Sequence, residues 1–201
     1  MTRWYTEKKQ EHFYKQAKRT GYRARSAFKL LQIQKKFKII KKGDTIVDLG
    51  AAPGGWSQVA QELTGQNGKV IGIDLSPIKP IKNITFLRGD LTEDSSIQQI
   101  TNILNEKKVD TILSDMSPDI SGNYSVDHAR SIYLCEKALE TAQKILKNGG
   151  NLICKAFTGQ DLQNFIEKTN KNFKNVKQHS PAASRKTSSE IYIIARSYQK
   201  L

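Results

Sequence analysis

At 201 residues, with 37% apolar and 26% charged side chains, the chain is long enough to bury one core and too balanced to be disordered or fibrous. A formal charge of +14 points to an anionic partner, nucleic acid first, although 25 Lys against 8 Arg also fits a solvated lysine surface from a compositionally biased genome. Two cysteines without close spacing suggest neither a zinc site nor a disulfide framework, the three histidines lack ligand spacing, and no apolar run nears the roughly 20 residues of a membrane span. No metal is expected, and residues 4–18 are too polar for a signal peptide.

Residues 1–20 place Arg3, Trp4, Tyr5, Phe13 and Tyr14 among Lys and Gln, without an apolar face. They read as a basic, aromatic extension ahead of a single domain over 21–201. Such a segment suits RNA, where cations meet phosphates and rings stack on bases, and it equally suits a solvated tail. The spacing of Ala27, Leu30, Leu31 and Gln34 then predicts an amphipathic helix over 22–34.

The first strand, 46–49, is short and β-branched, as in a parallel strand buried on both faces. Gly50, Gly54 and Gly55 turn the chain into a helix over 56–63, whose free N–H groups face the turn. A plain strand-to-helix turn would look similar. A dinucleotide site, however, needs glycine at the third place from Gly50, and Ala52 stands there; Pro53 removes another N–H. The turn is therefore poorly built for a diphosphate, which argues against a nucleotide-dependent oxidoreductase, and a ligand without phosphate such as S-adenosylmethionine (SAM) fits better. Asp74 ends the strand 70–74, where it can accept both hydroxyls of a ribose, and Asp90 ends the strand 84–90, where it can accept from an adenine amino group.

A polar helix over 96–104 leads to the strand 110–115, which again ends in an acid, Asp115. A long helix is predicted over 126–146, stopped by Asn148-Gly-Gly150. The strand 151–157 carries Lys155 in an apolar run, a costly placement unless its ammonium finds a partner. After a helix over 162–170, the strands 173–178 and 191–195 are separated by a polar loop too short for a crossover helix and should pair antiparallel; Glu190 stands at the loop's exit. The pattern is a doubly wound, Rossmann-like α/β fold of the SAM-dependent methyltransferase type. Its seven-stranded sheet is mostly parallel, with one antiparallel strand near the C-terminus.

With these residues in hand, the chain resembles the FtsJ/RrmJ family of RNA ribose 2′-O-methyltransferases over about residues 3–195. The likeness is carried by Ser26-Ala-Phe-Lys-Leu30, Asp48-Leu-Gly-Ala-Ala-Pro-Gly-Gly-Trp-Ser57, Ser114-Asp-Met-Ser-Pro118, Lys155 in its strand, and Ser189-Glu-Ile-Tyr-Ile193. The resemblance implies a catalytic Lys-Asp-Lys-Glu tetrad at Lys29, Asp115, Lys155 and Glu190, in which we read Lys155 as the base. It places SAM contacts at Gly54, Trp56, Asp74, Asp90 and Asp115. The implied acceptor is a ribose 2′-hydroxyl, most simply of a uridine in large-subunit ribosomal RNA. The alternatives are transfer RNA, or a catalytically silent RNA-binding assembly factor with the same fold. Lys18, Arg19, Arg23, Arg25 and the Arg185-Lys186 loop form the expected RNA-binding face. A monomer inside the cell is implied, in the cytoplasm, the nucleus or nucleolus, or an organelle such as the mitochondrion, with no membrane partner.

Overall fold

The structure is a computed structural model that describes residues 15–17, 19–184 and 188–200. Most of the expected extension over 1–20, including Lys18, lies outside the described residues, as do Arg185 and Lys186; residues 15–17 and 19–20 are helical.

The chain alternates as α1 (Ala27–Phe37), β1 (Thr45–Leu49), α2 (Gly55–Thr64), β2 (Lys69–Asp74), β3 (Ile84–Arg88), α3 (Asp94–Leu104), β4 (Val109–Ser114), α4 (Tyr124–Ile145), β5 (Leu146–Phe157), α5 (Leu162–Asn172), β6 (Phe173–His179) and β7 (Glu190–Tyr198). The sheet order is β3-β2-β1-β4-β5-β7-β6. β1 to β5 pair in parallel, and β7 is antiparallel to both β5 and β6, so it is the one reversed strand. The order reverses between β1 and β4, which opens a crevice at the carboxyl ends of these strands, where doubly wound sheets bind ligands.

Each sheet face has its own core. Val47, Leu49, Ile71, Ile73, Ile112, Leu152 and Ile193 pack against α3, α4 and α5, through residues such as Ile100, Leu139 and Phe165. On the other face, Ile46, Val70, Leu113, Ile153 and Tyr192 meet Leu30 and Ile33 of α1 and Trp56 and Val59 of α2. The alternation of these two sets along each strand is the pleat itself.

Several boundaries differ from the sequence expectation, and two of the differences have a clear physical cause. The first helix begins at Ala27 rather than residue 22 because the preceding residues are used elsewhere: the Arg23 N–H donates to Gln58 Oε1 (2.8 Å), and the Ser26 carbonyl accepts from Trp56 Nε1 (2.8 Å). Ile33 rather than Gln34 completes its buried stripe. Gln34 instead caps the exit, its Oε1 accepting from the Ile39 and Ile40 N–H groups. The second difference is at Asn148-Gly-Gly150, which does not stop α4. The helix ends at Ile145, and Leu146 already pairs with Val109, so the glycines form an irregularity inside β5 before regular pairing resumes at Asn151.

Candidate active site

The four acids and lysines of the expected tetrad converge from four elements, and they do so as two ion pairs. Lys29, on the buried side of α1, places Nζ 2.8 Å from Glu190 Oε2 at the start of β7. Lys155 of β5, 6% exposed, donates from Nζ to the Asp115 main-chain oxygen (2.6 Å) and lies 3.3 Å from that residue's Oδ1. The cost of burying the Lys155 ammonium in an apolar strand is thus offset by a partner one residue beyond the end of β4.

Tyr192 joins the two pairs. It stands directly across from Lys155 in the β5/β7 ladder, its hydroxyl donates to Asp115 Oδ1 (2.7 Å), and Lys29 Nζ sits 5.7 Å from its ring centroid. Burial first, and then the negative charge of Asp115, push the Tyr192 phenol well above its ordinary range, so it remains a donor. Burial alone would raise the Glu190 carboxyl, but the charge and hydrogen bond of Lys29, aided by Lys155 and Arg25, outweigh it and hold Glu190 below its usual value. Sequence reasoning did not single out Tyr192, although it lies inside the Ser189-Glu-Ile-Tyr-Ile193 motif; strand alternation marks it only as a core residue.

On one side of the tetrad is a cleft of about 380 Å³ lined by Asp74, Asp90 and Asp115 from the ends of β2, β3 and β4, together with Gly50, Leu75 and Leu91. Asp74 is held by the Ala52 N–H on Oδ2 (2.9 Å) and the Ser76 N–H on Oδ1 (2.8 Å). These bonds orient the carboxylate and leave acceptor capacity on both oxygens. Asp90 takes the Thr92 N–H and hydroxyl on Oδ1, both at 2.8 Å, and the N–H bond first of all lowers its carboxyl below the usual range. Three carboxylates against one ammonium, that of Lys137, around a cleft with apolar walls suit a cationic ligand that is partly apolar.

Gly54 and Trp56 are not brought into this cleft. The Trp56 indole is buried on the opposite side of α2, bonded to the Ser26 carbonyl and stacked on Tyr192 at 5.6 Å, so it supports the tetrad. Gly54, at φ +108°, is the left-handed N-cap of α2 behind the cis Ala52–Pro53 turn, and a Cβ there would meet Ile81 and the Arg23 side chain. What these positions offer a ligand is main chain at a helix N-terminus.

Arg23, expected on the RNA face, is engaged with the main chain. Its guanidinium donates to the carbonyls of Pro53, Lys79 and Pro80, strapping the segment before α1 across the Gly54 turn. Arg25 instead lines a second cleft, of about 360 Å³, on the Glu190 side; Ser117 belongs to both clefts, so they adjoin at the tetrad. Among the described residues no helix is long and apolar enough to cross a membrane, and no cluster of His, Cys, Asp or Glu is arranged to hold a metal.

The arrangement places a cation-seeking cleft beside a pair of buried lysines and an adjoining second cleft, which suits transfer of a group between two ligands. Known proteins agree. The chain is 50% identical over 190 residues to ribosomal RNA large subunit methyltransferase E of Methanosarcina acetivorans, covering 94% of this chain and 69% of that protein. It is 45% identical to the protein of the same name from Acinetobacter baumannii, covering 98% and 91%. A crystal structure assigned as a ribosomal RNA methyltransferase from Plasmodium falciparum superposes with a TM-score of 0.81 at 32% identity, over 88% of this chain and 98% of that one. Aeropyrum pernix fibrillarin, crystallised with natively bound S-adenosyl-L-methionine, shares the fold at a TM-score of 0.60 and 18% identity, over 87% and 75% of the two chains. The model of the FtsJ-like methyltransferase family matches residues 22–198, and the chain belongs to that family.

Proposed function

We propose that this methyltransferase uses SAM to methylate a ribose 2′-hydroxyl of RNA, with a uridine of large-subunit ribosomal RNA as the acceptor. The observation that carries the reading is the meeting of two clefts at Ser117, with Asp115 of one lysine–acid pair lining the first and Glu190 of the other lining the second. The names of the relatives support ribosomal RNA, and a formal charge of +14 supports a polyanionic substrate. The domain over 21–201 acts as a monomer where large ribosomal subunits are assembled, in the cytoplasm or nucleus.

When bound, SAM supplies a methyl group on a positively charged sulfur, an electrophile that needs only a positioned hydroxyl and an outlet for its proton. Asp74 accepts the ribose diol in this reading, and Asp90 the adenine amino group. Leu75 and Leu91 provide the apolar walls for the ring, and Asp115 faces the cationic end. Lys155 Nζ, entering as the neutral amine after its ammonium proton has passed to solvent, would take the proton of the acceptor hydroxyl as that oxygen gains the methyl group and the sulfur keeps the bonding pair. Asp115 and Tyr192 hold Lys155 in register, and the Lys29–Glu190 pair orients the hydroxyl from the other side.

The test is methyl transfer from labelled SAM to ribosomal and transfer RNA, followed by mapping of 2′-O-methyl sites. Label at one nucleotide of large-subunit RNA is expected. Label in transfer RNA alone would move the acceptor, and SAM binding without label in any RNA would leave an assembly factor.

A further inference from the structure

We infer that the second cleft receives the splayed-out base of the acceptor nucleotide, stacked on the ring of Tyr124; this rests on the RNA methylation proposed above. The cleft runs from Glu190 and Arg25 to Ile120 and Tyr124, which are 65% and 60% exposed. Exposed apolar side chains gathered in one cleft mark a binding surface.

The Tyr124 ring is held ready. Its hydroxyl donates to the Thr158 carbonyl (2.5 Å), and its ring lies over that of His128 at 6.5 Å with an interplanar angle of 10°. His128 is itself fixed: Nδ1 is 3.2 Å from the Phe157 carbonyl oxygen, and Nε2 accepts the Asp161 N–H (3.1 Å). The turn carrying the ring is tied down by Asn123 Oδ1, which accepts from the Ser125 and Val126 N–H groups. One face of the ring is therefore backed and the other is free for a partner, so stacking costs little further side-chain order.

The occupant follows from position and size. A ribose with its 2′-hydroxyl at the tetrad carries its base one glycosidic bond away, and Glu190 belongs to both the tetrad and this cleft. A volume of about 360 Å³ suits a base with its sugar and is too small for a docked helix. RNA-modifying enzymes commonly take the target nucleotide out of its stack and read it against aromatic rings.

Two readouts test this. In steady-state methylation of large-subunit RNA, Tyr124→Ala should raise KM for RNA on the order of 5- to 150-fold, the range that base stacking supplies, with a smaller fall in kcat and unchanged SAM affinity. Tyr124→Phe, which keeps the ring, should recover most of that loss. In the second, a single-stranded oligouridine with one central 2-aminopurine should lose fluorescence on the wild-type protein and far less on Tyr124→Ala. This readout needs no turnover, so it still reports on the cleft if the methylation reading itself fails. Wild-type quenching and KM in Tyr124→Ala would overturn the inference. So would a loss in Tyr124→Phe equal to that in Tyr124→Ala, which would reassign the residue to holding the Thr158 carbonyl.

Discussion

Lys155 and Tyr192 face each other across the β5/β7 ladder, and both side chains end on Asp115, one at its main-chain oxygen and carboxylate, the other at Oδ1. The amine is thus positioned by a strand pairing and by an acid one residue beyond the end of a third strand. If Lys155 takes the hydroxyl proton, Lys155→Ala should lower kcat by about 10²–10⁴ and leave SAM affinity nearly intact. Lys155→Arg separates proton transfer from charge, because a guanidinium keeps the charge and donors but does not give up its proton. Single-turnover methylation should find the arginine variant almost as inactive as the alanine one; substantial activity would mean that Lys155 works by charge and positioning alone.

β2, β3 and β4 and the acids at or just beyond their ends were legible in the sequence because each is a short apolar run followed by one carboxylate, and the reversed strand followed from a loop too short to cross over. The helix start at Ala27 was not legible, since residues 23 and 26 use their backbone groups on Gln58 and Trp56, partners 30 residues or more away. Asn148-Gly-Gly150 carries the chemistry of a helix stop, and only the pairing of Leu146 with Val109 shows that the strand has already begun. The side-chain directions of Trp56 and Tyr192 were not legible, for one reason. A motif names positions but not which way a side chain turns, and the indole packs on the tyrosine instead of entering the acidic cleft.

Asp74 is held by two N–H groups, one on each oxygen, so its orientation survives without ligand and its remaining lone pairs face the cleft. Asp74→Ala removes the acceptor for the ligand's diol and should weaken SAM binding by roughly 1–3 kcal/mol in titration calorimetry. An unchanged affinity would place the ribose elsewhere.

Arg23 should behave as a strap and not as a phosphate contact. Its guanidinium is committed to the carbonyls of Pro53, Lys79 and Pro80, whereas Arg25 lines the acceptor cleft. Arg23→Ala should therefore lower the melting temperature by a few degrees, the equivalent of about 1–2 kcal/mol, while the slope of log affinity against log salt for single-stranded RNA stays put. Each phosphate contact truly lost would flatten that slope by roughly 0.7. A flattened slope in Arg23→Ala, measured by fluorescence anisotropy from low to moderate salt, would return Arg23 to the RNA face.

Asp48 links the SAM-side turn to the pH dependence of stability. It is fully buried in β1, its Oδ2 accepts the Ser57 hydroxyl (2.6 Å), and its Oδ1 has no hydrogen-bond partner among the described residues. Burial, reinforced by the negative charges of Asp115 and Asp74 and opposed by the Ser57 hydrogen bond, pushes its carboxyl up to about 7. The folded chain therefore keeps a proton on Asp48 from about pH 4, where an unfolded aspartate ionises, up to about pH 7. Across that window the unfolded state binds fewer protons, so this group's contribution to stability falls as pH rises, and above it the full cost of a buried carboxylate is present and constant. At about 1.4 kcal/mol per pKa unit that cost amounts to a few kcal/mol. Asp48→Asn keeps an acceptor for Ser57 and cannot ionise, so it should melt close to the wild type near pH 4 and increasingly above it toward pH 7, with a constant gap at higher pH. Melting curves of the two proteins at matched ionic strength decide it: a gap that does not widen between pH 4 and 7 would mean that Asp48 is already charged in the folded chain.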